Sequence, residues 1–309
     1  MPHLSSINIV GRIGGGDKIM ASVLLLGSTG FIGSSIGNEL DKQGIEWVGV
    51  ARNIRGGDKP TIALTDAPSV TKVLRSKPII INALGGLKPR NFNENFTAAM
   101  NEFWASLERF IRYLQNHPPA GLLHISSAGT VYGEAAERPS CETDPVRPRS
   151  WYGRMKVMEE SMYRSYAQDY NVPFACARVS NPYGNPTASN HGLIDVLITQ
   201  LSKNEPFVAA FPQKAMRDFI YAPCMAKILV RMALEGHTGI YNVGNGTPTS
   251  LQWIIDYAQE LKPSAVVVER TASPSDIVNS SISTEKLEAA LGKPEWAMTI
   301  ERYMQKRLG

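Results

Sequence analysis

The chain has 309 residues, 32 Lys and Arg against 28 Asp and Glu, and 43% hydrophobic and 19% charged residues. This is the profile of an ordinary globular protein, not of a disordered tail, a collagen or a disulfide scaffold. A formal charge of +4 with no run of five like charges leaves no electrostatic footprint for nucleic acid or an anionic membrane.

No apolar stretch approaches the roughly 18 residues needed to cross a bilayer. The three cysteines, Cys141, Cys176 and Cys224, are far apart and odd in number. That argues against a disulfide framework or a metal site and fits a reducing cytoplasm. The first 19 residues lack the apolar core and cleavage site of a signal peptide. Met20 directly precedes a strand signal, so residues 1–20 read as a flexible extension or an upstream start codon.

From Ala21 the chain alternates apolar runs with helical stretches. The runs are SVLLLG (22–27), IEWVGVA (45–51), PIIINAL (78–84), GLLHIS (121–126) and VPFACARV (172–179). Helices are expected over 31–43, 67–76, about 93–116 and 151–170. Near-continuous apolar strands separated by helices predict an α/β fold with a doubly wound parallel sheet covered on both faces. After about residue 180 the pattern changes at NPYGNP, with Pro and Gly punctuation and shorter elements. The expected organisation is an extension over 1–20, a dinucleotide-binding domain over 21–180 and a smaller lobe over 181–309, with some chain crossing back to the first domain.

Gly27-Ser-Thr29-Gly30-Phe31-Ile32-Gly33 follows the first strand and opens the first helix. Gly27 permits a tight turn, Gly30 lets backbone approach a pyrophosphate, and Gly33 allows close helix packing, while the helix N-terminus offers free N–H groups to phosphate. Tyr152-Gly-Arg-Met-Lys156 puts a phenol and an ammonium four residues apart on one helix face. A phenol titrating near 10 needs such a cation nearby to act at neutral pH. Between them lies His124-Ile-Ser-Ser127-Ala128-Gly129-Thr130-Val-Tyr-Gly133, a strand ending in hydroxyls.

With these segments the chain resembles the extended, nucleotide-sugar branch of the short-chain dehydrogenase/reductases, the NAD-dependent epimerase/dehydratase family. Arg178-Val-Ser-Asn181-Pro-Tyr183-Gly184, Arg217-Asp218-Phe219-Ile220-Tyr221 and Tyr241-Asn-Val-Gly244-Asn-Gly246 extend the likeness over roughly residues 21–260. The resemblance implies a Rossmann-type sheet with a smaller C-terminal substrate lobe and a nucleotide-sugar substrate. It implies dinucleotide contacts at Gly27, Thr29, Gly30, Phe31, Ile32, Gly33, Arg52, Asp66, Ala83 and Lys156. It also implies Tyr152 and Lys156 as the catalytic pair and substrate contacts at Ser127, Tyr152, Asn181 and Arg217. The family's catalytic Ser or Thr falls on Ala128, so the hydroxyl role passes to Ser127, to Thr130 or to water, with Ser127 preferred because it ends the strand. Ala128-Gly129-Thr130 stands where dehydratases of the family carry T-D-E, which leaves no base for abstraction at C5.

The second strand ends Val50-Ala51-Arg52-Asn53, without the carboxylate that binds both ribose hydroxyls in NAD-preferring members. Arg52, with Arg55 nearby, suits a 2′-phosphate and favours NADP(H) over NAD(H). Alternatively, Arg52 stacks over adenine without reading a phosphate. The expected reaction is NADPH-dependent reduction of the C4 keto group of a nucleotide-linked 4-keto-6-deoxyhexose. The alternatives are a nucleotide-sugar 4-epimerase with retained NAD and a silent dinucleotide sensor. A homodimer through the long helices is also expected, with Phe103, Leu107, Phe110 and Tyr163 as interface residues or as plain core.

Overall fold

In the computed structural model, residues 22–52, 60–135, 137–187, 191–273 and 276–309 are described. The expected extension over 1–20, and Asn53 and Arg55, lie outside them.

The apolar runs become strands because they are buried on both sides, and helices between them cover the two faces. In chain order these are β1 (Val23–Leu26), α1 (Phe31–Lys42), β2 (Trp47–Ala51), β3 (Thr61–Ala63), α2 (Ala67–Leu74), β4 (Ile79–Asn82), α3 (Pro89–Glu94), α4 (Phe96–Asn116), β5 (Gly121–Ser127), α5 (Ala128–Val131), α6 (Trp151–Asp169) and β6 (Phe174–Val179). There follow β7 (Asn181–Tyr183), α7 (Leu193–Ser202), β8 (Phe207–Ala209), β9 (Met216–Tyr221), α8 (Ala222–Leu234), β10 (Gly239–Val243), β11 (Pro248–Ser250), α9 (Leu251–Leu261), β12 (Val267–Glu269), β13 (Asn279–Ser280), α10 (Glu285–Leu291) and α11 (Ile300–Leu308).

Seven strands form a parallel sheet in the order β3-β2-β1-β4-β5-β6-β10. The two-residue alternation of a strand sorts β1 between two cores. Val23 and Leu25 pack with α1 and α8, and Leu24 and Leu26 pack with α2, α4 and α6. This is the Rossmann-type doubly wound α/β arrangement the apolar runs predict.

The structure refines the sequence reading in three places. The helix expected from about 93 is interrupted at Asn95, whose extended backbone (φ −153°, ψ 90°) ends α3 while its side chain caps α4 by accepting from the Ala98 N–H at 3.0 Å. β3 is a three-residue edge strand, too short to show a period, and β10 adds a seventh strand where the apolar pattern announced none. Phe103, Leu107, Phe110 and Tyr163 are at most 3% exposed and belong to the core beneath α4 and α6, so of the two readings the plain core holds.

Beyond β6, strand β9 pairs with β7, β11 and β13, and β8 pairs with β12. A separate core joins these short strands to α7, α9 and α11. Between β9 and β11, α8 and β10 return to the large sheet. The chain therefore passes repeatedly between the two sheets above the C-terminal ends of the large sheet's strands. None of the described helices is long and apolar enough to cross a membrane.

Candidate active site

From β1 the chain winds outward through β2 and β3, then re-enters on the other side of β1 as β4. A crevice forms outside the strand ends at such a reversal. The Ala83 N–H donates to the Leu26 carbonyl at 3.0 Å, which brings the turn after β1 under the segment after β4. Gly27 has φ +75°, and a Cβ there would run into the Ala83 carbonyl. A Cβ on Gly33 would strike the Gly27 carbonyl, so α1 starts directly against the turn. α1 opens at exposed Gly30 without a side-chain cap, and its first-turn N–H groups at Phe31, Ile32 and Gly33 are the donors a helix start offers to phosphate. Half-buried Thr29 completes the turn. This cradle fits the pyrophosphate of a dinucleotide.

At the end of β2, the Arg52 guanidinium lies against Gly86, where a Cβ would collide with it, and pairs with Glu102 of α4 at 2.5 Å. Arg52 and Glu102 border a cavity of about 70 Å³ that reaches inward past Gly86 and Met155 to Glu159. Asp66, expected as a dinucleotide contact, caps α2 by accepting from the Ser69 N–H at 3.3 Å.

At the other end, Ser150 caps α6 by accepting from the Gly153 N–H at 3.1 Å. Gly153 lets α6 approach α5, since a Cβ there would come within 2.8 Å of the Thr130 carbonyl. One helical turn then carries Tyr152 and Lys156 on one side of α6, which packs on β5. The Lys156 ammonium, only 5% exposed, donates to the Ile125 carbonyl at 3.3 Å and to Glu159 Oε2 at 2.8 Å. Burial presses its pKa down, but Glu159 and Tyr152 outweigh burial and the net direction is upward. Burial raises the Tyr152 phenol, Lys156 opposes the rise and Glu159 reinforces it.

Ser127 ends β5 and begins α5 without a side-chain bond to that helix, whereas the Thr130 hydroxyl donates to the Ser127 carbonyl at 3.4 Å. Ala128 is 2% exposed. Its neighbour Ser126 faces the interior and donates to Glu160, whose carboxylate takes Nε and Nη2 of Arg178 at 3.1 and 2.7 Å.

On the small-lobe side, Asn181 Nδ2 donates to the Asp218 carbonyl at 2.9 Å and fastens β7 to β9. The Arg217 fork is committed to main chain, donating to the carbonyls of Met216, Val278 and Ile277 at 2.9, 3.1 and 2.6 Å. Burial lowers its pKa. The Asp218 side chain is fully buried, accepts from the Asn245 N–H at 2.9 Å and fixes the turn after β10. Burial pushes its carboxyl up to about 6.

Eleven of the expected residues gather in two groups, and Arg52, Asp66, Asn181 and Arg217 lie outside both. Gly27, Thr29, Gly30, Phe31, Ile32, Gly33 and Ala83 form the crevice floor at β1 and β4, and Ser127, Thr130, Tyr152 and Lys156 meet where α6 crosses the end of β5. Sequence reasoning passed over Glu159, three residues after Lys156 and on the same side of α6, and His124, a polar residue inside an apolar strand. His124 is fully buried, with Nε2 3.6 Å from Glu159 Oε2 and its ring 4.8 Å from that of Tyr163. Burial, and then the charge of Lys156, hold its pKa well below the ordinary histidine range, so the ring is neutral. Among the described residues, no cluster of His, Cys, Asp and Glu could hold a metal ion.

A doubly wound sheet with a dinucleotide cradle and a Tyr–Lys pair on the helix after β5 defines the short-chain dehydrogenase/reductase class, extended by a second lobe. Residues 23–244 match the NAD dependent epimerase/dehydratase family, and the chain belongs to it. A putative UDP-glucose 4-epimerase of Methanocaldococcus jannaschii is 26% identical over 88% of this chain and 93% of its own. A dTDP-4-dehydro-6-deoxyglucose reductase of Escherichia coli is 30% identical over 51% of each chain. The fold is shared with the crystal structure of Thermus thermophilus UDP-glucose 4-epimerase in complex with NAD, at a TM-score of 0.82, 22% identity, and 93% of this chain and 97% of that one.

Proposed function

We propose that the protein is an NADP(H)-preferring reductase of the C4 keto group of a nucleotide-linked 4-keto-6-deoxyhexose, acting in the cytoplasm. The observation that carries this reading is Arg52 at the end of β2, a cation at the ribose corner where a carboxylate would favour NAD. A 2′-phosphate would exchange Glu102 for a stronger partner. The similarity to a 4-dehydro-6-deoxyglucose reductase points the same way.

When bound, the reduced nicotinamide supplies the hydride. Tyr152 gives its proton to the oxygen at C4, and the raised phenol pKa keeps that proton available at neutral pH. Lys156 holds the ribose and stabilises the phenolate left behind, while the uncommitted Ser127 hydroxyl polarises the carbonyl. Asn181 and Arg217 take the substrate's diphosphate side, Arg217 by releasing some of its carbonyl partners. The second reading, a 4-epimerase with retained NAD, is favoured by the near full-length similarity to a putative UDP-glucose 4-epimerase.

The test is to denature the purified protein, identify any dinucleotide released, and titrate the emptied protein with NADPH and NADH. Preferential NADPH uptake, followed by NADPH oxidation on a 4-keto-6-deoxy sugar nucleotide, is expected. Stoichiometric bound NAD with weak NADPH binding would make the protein an epimerase.

The homodimer is also part of this proposal. Trp104 on α4 and Trp151 and Met162 on α6 are 40–47% exposed, a poor arrangement for three large apolar side chains unless covered. Sedimentation should show a dimer that Trp104→Glu dissociates; a wild-type monomer would remove this part.

A further inference from the structure

An ammonium has three protons to donate. In Lys156 one goes to the Ile125 carbonyl and one to Glu159, which leaves a single donor for a ligand in the crevice. Glu159 is itself held from behind. The Leu84 N–H donates to Asn82 Oδ1 at 3.1 Å, which turns the Asn82 amide nitrogen toward His124 Nδ1 at 3.4 Å. Nδ1 is therefore the acceptor, and the ring's proton resides on Nε2. That buried nitrogen has no hydrogen-bond partner among the described residues, and the polar atom it faces at 3.6 Å is Glu159 Oε2.

We propose that Glu159 is a positioning residue for Lys156: its carboxylate, backed by the Nε2–H of His124, fixes the direction of the ammonium's one free donor. The inference rests on the reading of Tyr152 and Lys156 as the reacting pair. Without that carboxylate, a lysine 5% exposed would keep one carbonyl partner, and burial would drive off its proton. A neutral, loosely held amine neither orients a ribose nor stabilises a phenolate. Glu159 also offsets part of the Lys156 field at Tyr152, which favours the protonated phenol, the form a proton donor needs.

The charged and titratable groups around this pair are few. Tyr152, Glu160 and Tyr163 share α6 with it, and His124 and Cys176 face it from β5 and β6. Glu102 and Arg52 lie across the cavity and are paired with each other.

The experiment is a pH titration by NMR of the full chain, free of dinucleotide, with ¹³C at lysine Cε and the Lys156 signal assigned by Lys156→Arg. In the wild type this signal should stay at its ammonium position through the ordinary lysine range near about 10.4. In Glu159→Gln the midpoint should fall, with the acid constant at least tenfold larger. In Glu159→Asp, one methylene too short to keep the contact, it should fall by less, and this variant serves if Glu159→Gln does not fold. The same titration midpoint in the wild type and in either folded variant would overturn the proposal. In ¹⁵N-labelled protein His124 should be the Nε2–H tautomer, and a proton on Nδ1 would remove its part. These signals need no turnover, so a protein that reduces no 4-keto sugar but shows the Lys156 shift loses the reductase reading and keeps this one.

Discussion

The Tyr152 phenol is raised by burial, and the Lys156 ammonium on the next turn opposes that rise. Tyr152→Phe keeps the ring's packing and removes the transferable proton. Turnover should fall by about 10² to 10⁴, the usual range for loss of a general acid, with dinucleotide binding nearly unchanged by fluorescence titration. Retained turnover would remove Tyr152 as the donor. Arg52 gives a second test. Arg52→Asp should move preference from NADPH toward NADH, and an unchanged ratio of dissociation constants would defeat the phosphate reading. Its partner gives the opposite sign: Glu102 and Arg52 form a half-exposed pair of the kind worth about 0.2–1 kcal/mol. Glu102→Gln should therefore free the guanidinium and tighten NADPH binding a few-fold.

Elements hold the site through buried polar contacts that the apolar pattern does not announce. The Glu160–Arg178 pair joins α6 to β6 with both side chains no more than 4% exposed, and Ser126 of β5 completes it. Removing one partner strands a buried charge, so Arg178→Met should cost about 3–5 kcal/mol in a denaturant titration. The double variant Arg178→Met with Glu160→Met should recover most of that loss, and a double variant no more stable than the single one would mean that the pair contributes more than its charge balance. Helix caps act on the same scale. Asn95 and Ser150 fix where α4 and α6 begin, and the second of these sets the height of Tyr152 above the sheet.

At the scale of the molecule, the turn after β10 is locked by Asp218, which sits where the two lobes meet. Its carboxyl has an ordinary value of 3.8 and is raised to about 6 by burial, and among the described residues one of its oxygens has no hydrogen-bond partner. The folded state therefore takes up a proton as pH falls through 6, while the unfolded state does not until near 3.8. This residue adds stability on acidification, on the order of 1 kcal/mol between pH 7 and pH 5. Thermal unfolding of the wild type and Asp218→Asn across that range should show the gain in the wild type alone; parallel curves would refute the shift.

Much of this protein was legible from its sequence because the signals are local. Five apolar runs announced five of the seven sheet strands, since a strand buried on both faces must be apolar throughout. The glycines at 27 and 33 announced the crevice, since only a residue without Cβ fits beneath the Ala83 carbonyl or against the Gly27 carbonyl. The Tyr152–Lys156 spacing announced one helix face. Tertiary structure alone decided what those side chains touch. Arg52 pairs with Glu102, fifty residues away, Arg217 turns to the carbonyls of 277 and 278, and His124 and Glu159 converge beside Lys156 from a strand and a helix. Hydrogen bonds and charge interactions act over a few ångströms between residues far apart in the chain, and neither period nor motif encodes which distant partner a polar side chain will meet.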